Sequence, residues 1–182
     1  MTRIAGAAFA AALFAAGSAA AVDGVSVEYG KSNSSNSDVQ LGRVGVQWDW
    51  NKRWLDGGNW HFGGFWDVSL GYWDNSSIGK TNSSLTEIGL TPTFRFQQNN
   101  PGEYAPYLEG AVGFHFLSHT SVSTQRMFGS SFQFGDHVGF GVRFGPKGAY
   151  DIGYRYQHLS NAGIKEPNQG INYNQIRFQY HF

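Results

Sequence analysis

The stretch Trp60-His61-Phe62-Gly63-Gly64-Phe65-Trp66-Asp67-Val68-Ser69-Leu70-Gly71-Tyr72 decides the fold. Large apolar side chains occupy most of its even positions, and His61, Asp67 and Ser69 lie between them. Successive side chains of a β-strand point to opposite faces, so this pattern gives one apolar face and one polar face. The stretch therefore predicts a long amphipathic strand.

Seven further runs alternate in the same way. Their apolar rows are Val25, Val27 and Tyr29; Val44, Val46, Trp48 and Trp50; Ile88, Leu90, Phe94 and Phe96; Leu108, Val112, Phe114 and Phe116; Phe132, Phe134, Val138, Phe140, Val142 and Phe144; Ile152, Tyr154 and Tyr156; and Ile176, Phe178, Tyr180 and Phe182. Polar loops alternate with shorter turns between the runs. This predicts an all-β fold, an eight-stranded antiparallel up-and-down transmembrane β-barrel. Pro92 lies inside the fourth strand and predicts a local distortion there.

The opposite rows of these strands are rich in charge. They carry Arg43, Asp67, Glu87, Arg95, Glu109, Arg143, Asp151, Arg155 and Arg177. Side chains fill the interior of a barrel this narrow, so the charges are expected to pair inside and the aromatic rows to face lipid. A soluble lipocalin-like barrel would need the reverse arrangement. The composition, 16% aromatic with 25 glycines, favours the membrane barrel.

The first residues have the features of a secretory signal peptide. A basic start at Arg3 precedes a short apolar, alanine-rich run and small residues at 18–21. We expect residues 1–21 to be the signal peptide and 22–182 to be one outer-membrane β-barrel domain. Cysteine is absent, which excludes disulfides and thiolate metal sites. With 13 basic and 13 acidic residues and no basic block, the chain lacks the charge that nucleic-acid binding needs.

The candidate chemistry lies at the end of the seventh strand. His158 and Ser160 are two residues apart and share the lipid-facing parity of Tyr154 and Tyr156. If the longer loops lie outside the cell, the pair lies level with the outer leaflet. There a polar side chain on the lipid face costs about 0–1 kcal/mol instead of several at the midplane.

A histidine and a serine on one face can act as general base and nucleophile. The following Asn161-Ala162-Gly163 can turn sharply and present backbone N–H groups to an oxyanion. Strand pairing is expected to bring Asn172 and Asn174 near the pair. It also places Asp136 roughly opposite His158, within about two residues.

These residues carry a family resemblance. His158-Leu159-Ser160-Asn161-Ala162-Gly163-Ile164-Lys165, with Pro167-Asn168 and Gly170-Ile171, resembles the signature of PagL, the family of outer-membrane lipid A 3-O-deacylases. The segments 46–50, 66–67, 108–110 and 129–131 also resemble that family. The resemblance implies an eight-stranded barrel that hydrolyses the ester-linked acyl chain at position 3 of lipid A. Lipopolysaccharide would be its substrate, and it would need no metal or other cofactor.

By this resemblance, Ser160 is the nucleophile and His158 the general base. Asn161, Asn168 and the Gly163 backbone would support the oxyanion. The acid of the family falls at Asn172, which is not a carboxylate here; Asp136 and Glu166 are the candidate substitutes. An amide can orient an imidazole but cannot stabilise the imidazolium by charge.

Two other functions are compatible with the residues alone. One is a structural small outer-membrane barrel without chemistry. The other is a lipid A acyltransferase-like barrel, although that enzyme needs an interior acyl-chain pocket and the charged interior argues against one. Nothing in the sequence excludes a homodimer.

Overall fold

The computed structural model describes residues 21–99 and 102–182. Its strands are β1 (Gly24–Ser32), β2 (Val39–Asp49), β3 (Trp60–Asn75), β4 (Ser84–Gln98), β5 (Tyr104–Leu117), β6 (Ser121–Ser123), β7 (Arg126–Met127), β8 (Phe132–Phe144), β9 (Tyr150–Ser160) and β10 (Ile171–His181). A short 3-10 helix, Pro146–Gly148, lies between β8 and β9. In these residues no helix is both long enough and apolar enough to cross a membrane. Residues 1–20 of the expected signal peptide lie outside the described part.

Eight of the strands form a closed antiparallel barrel. The order around it is β1, β2, β3, β4, β5, β8, β9 and β10, and β10 pairs with β1 to close the ring. Gly24 is paired with His181 at this seam, and the Phe182 N–H donates to the Asp23 carbonyl at 3.0 Å. The predicted eight-stranded up-and-down barrel is confirmed.

The two faces of the wall are those that the alternation predicts. The apolar rows of all eight strands are on the outside, as Leu70, Phe116 and Phe140 show with more than half of their surface exposed. Polar residues such as Gln47, Thr93 and Gln179 are buried inside. An apolar exterior around a polar interior is the arrangement of a barrel whose solvent is lipid.

Ion pairs fill the middle of the barrel. The Glu28 carboxylate of β1 pairs with Arg43 of the neighbouring β2 at 2.8 Å and with Arg155 of β9 at 2.9 Å, which links strands on both sides of β1. The other arginine–carboxylate pairs of the described interior are Arg43–Glu87, Arg95–Glu109, Arg95–Asp151, Arg155–Glu109, Arg177–Glu28 and Arg177–Asp67. Arg143 differs from the expectation, because its guanidinium donates to the Gly148 carbonyl at the end of the barrel.

One end of the interior is apolar, which the alternation analysis did not predict. Ten buried side chains form this plug: Val39, Leu41, Trp73, Leu85, Leu117, Val122, Phe128, Leu159, Ile171 and Tyr173. The Trp73 indole donates to Glu87 at 2.7 Å and so joins the plug to the ion pairs. Eight of the ten are inward-facing residues of the barrel strands near the same rim, and this apolar inward row was the signal that the sequence offered.

Four loops lie at the plugged end, which we call the loop end. They are L1 (33–38), L2 (76–83), L3 (118–131) and L4 (161–170). L3 is not a plain loop, since β6 and β7 form a hairpin within it. The expectation of shorter turns at the other end is wrong for 50–59, which is longer than L1 and L2; there Trp54 pairs with Phe62 in a β-bridge. In the turn predicted at 97–103, residues 100 and 101 lie outside the described part.

Pro92 interrupts one ladder and leaves the other continuous. It is paired with Trp66 on β3, but the register between β4 and β5 has no pairs for Thr91 and Pro92. The register is the same on either side of the gap, from Leu90–Phe114 to Thr93–Ala111. Proline has no N–H to donate, so the predicted distortion is confined to the β5 side.

The interior ion pairs predict a large cost for an unmatched charge. In Arg95→Met, Glu109 loses one of its arginines, and Asp151 loses the arginine that contacts it at 2.6 Å. Breaking a buried pair costs about 3–5 kcal/mol, so we expect the unfolding free energy in urea with lipid vesicles to fall by that amount. The exposed Arg53 is the control, and Arg53→Met should change it by no more than about 0.5 kcal/mol. Equal stabilities of the two variants would contradict the prediction.

Candidate active site

The outer end of β9 fixes the directions of the two candidate catalytic side chains. Leu159 points inward and is fully buried in the plug. His158 and Ser160 flank it in the same strand, so both project from the outer wall. Both are half-buried. The structure thus places the pair on the exterior at the loop end, as the alternation predicts.

Asn172 is the hydrogen-bond partner of the imidazole. It is paired with His158 across β9 and β10, and its Oδ1 lies 2.6 Å from His158 Nδ1. An amide oxygen can only accept, so Nδ1 carries the hydrogen; in the neutral tautomer that fits this contact, Nε2 is the acceptor nitrogen. Asn174 lies on the same face but accepts from the Tyr154 hydroxyl at 2.5 Å.

Gly170 makes room for the imidazole. A Cβ built on it would lie 2.8 Å from His158 Cε1 and 2.9 Å from the Leu159 carbonyl. Its φ of +58° is also in the left-handed region that favours glycine. Any larger residue here would push on the ring, so L4 returns to the barrel against the histidine.

The two candidate substitutes for the acid are exposed carboxylates, one on β8 and one in L4. Asp136 is the cross-strand partner of His158 on β8, in the register that the sequence predicts. It is exposed, and Asn172 is the group that contacts the imidazole nitrogen. Glu166 is exposed in L4 and accepts the Asn168 N–H at 3.0 Å. The geometry therefore brings Asn172, and neither carboxylate, to Nδ1.

L4 is held in shape by two asparagines. The buried Asn161 side chain donates to the carbonyls of Phe128 and Lys165 at 2.6 Å, and it accepts the Gly163 N–H at 3.0 Å. The Asn161 N–H donates to Asn168 Oδ1 at 3.0 Å. Gly163 has a φ of +78°, which allows the sharp turn that the sequence suggests. The three residues proposed for the oxyanion are thus joined by hydrogen bonds in one loop.

A shallow apolar cleft begins at the site. It has a volume of about 640 Å³ and runs along the outer wall from β9 toward β4. His158 and Asp136 lie at one side of it, and the remaining wall includes Phe94, Val112, Val138 and Tyr156. The cleft has the dimensions and polarity to take an apolar chain.

The part of the chain that the structure describes has no group of three or more His, Asp or Glu side chains placed to hold a metal ion. His61, His115 and His137 are buried in the barrel interior, and His181 is half-buried there. The barrel wall separates these four histidines from His158 and Ser160 on the exterior.

A closed eight-stranded barrel with lipid-facing aromatic rows defines a bacterial outer-membrane protein, and the exterior site gives this one a place for chemistry. The family model "Lipid A 3-O-deacylase (PagL)" matches residues 40–181. The lipid A deacylase PagL of Pseudomonas aeruginosa is 34% identical over 129 residues, which cover 71% of this chain and 70% of that protein. PagL of Bordetella bronchiseptica is 38% identical over 130 residues, 66% and 67% of the two chains.

A crystal structure of the outer membrane enzyme PagL superposes with a TM-score of 0.74 and 27% identity, over 87% of this chain and 99% of that one. The chain therefore belongs to the PagL family of lipid A 3-O-deacylases, hydrolases of the outer membrane. The predicted family and location are confirmed.

Sequence reasoning missed the residues that support the site from other loops. The Asn172 N–H donates to Ser34 Oγ of L1 at 2.8 Å, and Arg126 of L3 donates to the Gly170 carbonyl. Both contacts join segments that are far apart in the chain, so no local sequence pattern predicts them. Gly170 could have been singled out, since a glycine just before a strand is a common sign of a required backbone conformation.

Gly170→Ala tests the packing against His158. Displacement of the ring should reduce deacylation of lipid A by about 100-fold, the loss that a shift of about 1 Å in a reacting group can cause. The measurement is the initial rate of fatty-acid release by the purified barrel in detergent–lipid micelles. Gly79→Ala is the matched control, because that glycine also has a positive φ, +67°, but lies in L2. A similar loss in both variants would assign the effect to backbone strain alone.

Proposed function

We propose that the chain hydrolyses the ester-linked acyl chain at position 3 of lipid A as a serine esterase, with its active site in the outer leaflet. One observation carries the mechanism: the His158–Asn172 hydrogen bond of 2.6 Å lies on the same outer face as Ser160, at the loop end. That bond leaves Nε2 as the free base of the imidazole. A base and a hydroxyl on a lipid-facing wall suit a substrate that never leaves the membrane.

The reaction proceeds through an acyl-enzyme. His158 Nε2 takes the proton of Ser160 as Oγ bonds to the ester carbonyl carbon. The tetrahedral intermediate collapses, the bond to the sugar oxygen breaks, and that oxygen receives the proton from Nε2. A water molecule, deprotonated by His158, then cleaves the acyl-enzyme and releases a 3-hydroxy fatty acid.

The negative charge of the intermediate needs hydrogen-bond donors. Asn168 Oδ1 faces the Asn161 N–H, so the Asn168 amide N–H₂ group is turned the other way. We assign that amide to the oxyanion, with Asn161 and Gly163 shaping the turn that presents it. The leaving acyl chain would lie in the cleft along Val112, Val138 and Tyr156.

Asn172 completes the site as an orienting group. Its amide oxygen fixes the tautomer and direction of the imidazole, but it adds no charge to stabilise the imidazolium. Asp136 and Glu166 remain the alternative acids of this proposal, although the hydrogen-bond partner of His158 Nδ1 is Asn172. A neutral third member is consistent with a slower enzyme than one with a carboxylate.

Removal of the nucleophile or the base should abolish deacylation. We expect Ser160→Ala and His158→Ala each to reduce the rate by at least about 1000-fold, the scale seen when a triad member is removed. Mass spectrometry of lipid A from cells that express each variant measures the loss of one hydroxyacyl chain. Ser84→Ala is the matched control, since Ser84 is a half-buried serine at the same rim, on β4.

The same spectra separate the alternatives. Deacylation that persists in both variants would refute the site. Unchanged lipid A with the wild-type chain would favour the structural barrel, and a gain of mass would favour an acyltransferase. The packed interior is unfavourable for the latter, because ion pairs and the plug fill the space that an interior acyl pocket would need.

Asn172 can be tested by adding the missing charge. Asn172→Glu should raise kcat by about tenfold or more, because a carboxylate stabilises the imidazolium of the transition state. Asn172→Leu puts a side chain there that can neither accept a hydrogen bond nor carry a charge, and it should lower kcat by about 100-fold or more. Single-turnover rates with purified protein measure both. If Asn172→Leu kept the wild-type rate, another group would be the orienting residue.

A further inference from the structure

Arg126 of the β6–β7 hairpin is an unusual buried cation. It has only 7% of its surface exposed, although it lies in L3, outside the barrel wall. Within residues 21–99 and 102–182, no carboxylate lies within 4.0 Å of its guanidinium. Burial lowers the pKa of this guanidinium. Burying an unpaired charge is costly, so hydrogen bonds must compensate.

Those hydrogen bonds all go to backbone carbonyls of two other loops. Nη1 donates to the carbonyls of Gln169, at 3.2 Å, and of Gly170 in L4, and Nη2 donates to the Ser35 carbonyl of L1 at 2.6 Å. The planar fork of a guanidinium suits this use, because its N–H groups diverge in fixed directions. One side chain thus ties L1, L3 and L4 together.

The two segments that Arg126 holds are those that flank the catalytic imidazole. Gly170 packs against the His158 ring, where a Cβ would lie 2.8 Å from Cε1. On the other side, Ser34 accepts the Asn172 N–H at 2.8 Å, and the Asn33 N–H donates to the Asn172 carbonyl at 3.1 Å. Ser35 follows directly in the chain. A shift of either segment would move the ring or the amide that orients it.

The hairpin adds a second clasp on L4. The Met127 N–H donates to Gln169 Oε1 at 2.5 Å, and the Gln169 N–H donates to the Met127 carbonyl at 3.2 Å. The Phe128 carbonyl accepts from the Asn161 amide at 2.6 Å. Three consecutive residues of L3 therefore hold both ends of L4, the loop assigned to the oxyanion.

We infer that Arg126 is a positioning residue for the deacylation reaction: it aligns His158 and Asn172 through Gly170 and L1 without touching substrate. This inference rests on the proposed function of that site. It predicts an effect on kcat and not on KM, since the acyl-chain cleft is formed by β4, β5, β8 and β9 and has no residue of L3.

The test is Arg126→Met, which keeps the length of the side chain and removes every donor. We expect kcat for lipid A to fall by about 10- to 100-fold, the range for a small displacement of reacting groups, with KM within about twofold. Arg126→Lys keeps the charge and can donate to some of the carbonyls, so it should restore part of kcat. Arg53→Met, an exposed arginine at the opposite end, should behave as wild type.

A structural readout distinguishes positioning from folding. In protein labelled at histidine and reconstituted in lipid discs, the His158 Nδ1–H proton resonance should shift or broaden in Arg126→Met, and the melting temperature of the barrel should stay within a few degrees. An unchanged kcat, a rise in KM alone, or loss of the folded barrel would each overturn the inference. Failure of the wild-type protein to release fatty acid would refute the proposed function instead, and the resonance would still report on the Arg126 contacts.

Discussion

The structure depends on the pairing of charges inside a closed wall. A chain in lipid must satisfy every backbone group internally, which the closed ring of eight strands does. The narrow interior must then be filled, and here arginines and carboxylates from different strands fill it, with Glu28 of β1 contacting arginines of β2, β9 and β10. Because these groups satisfy one another inside, the outer face is free to be apolar. The proposed active site lies on this apolar exterior.

The apolar plug connects the interior to the chemistry. Leu159 and Ile171 are buried in it, and each is the immediate neighbour of a site residue, His158 on β9 and Asn172 on β10. Burying the two apolar side chains sets the register of both strands, and a slip by one residue would turn the site inward. The packing that seals the loop end therefore also fixes the direction of the imidazole and its amide partner. The packing of the plug and the geometry of the proposed catalytic site therefore depend on neighbouring residues of the same two strands.

The alternation in sequence was sufficient for the wall and for the site on it. A strict period of two predicted which face of each strand is exposed. The short turn predicted at Gly145–Gly148 gave the register that places Asp136 opposite His158. The hairpin of β6 and β7 could not be predicted, because strands of three and two residues are too short to show a period. The contacts of Arg126 could not be predicted either, because they depend on how the loops L1, L3 and L4 pack against one another. In the sequence, the plug is visible as the inward-facing Leu41, Trp73 and Leu85 near one end of their strands. To recognise it as a plug, one must know that six of the barrel strands, β2, β3, β4, β5, β9 and β10, bring such residues to the same level.

The position of the seam has a consequence for how the protein reaches the membrane. The imidazole lies on β9 and its amide partner on β10, the last two wall strands in chain order, and β10 is also the strand that closes the ring against β1. The Asn172 N–H also donates across this seam to Ser34 of L1, so the surroundings of the His158–Asn172 pair are complete only when β10 has joined β1. Under the proposed function, the imidazole would be aligned only after the last strands have entered the wall.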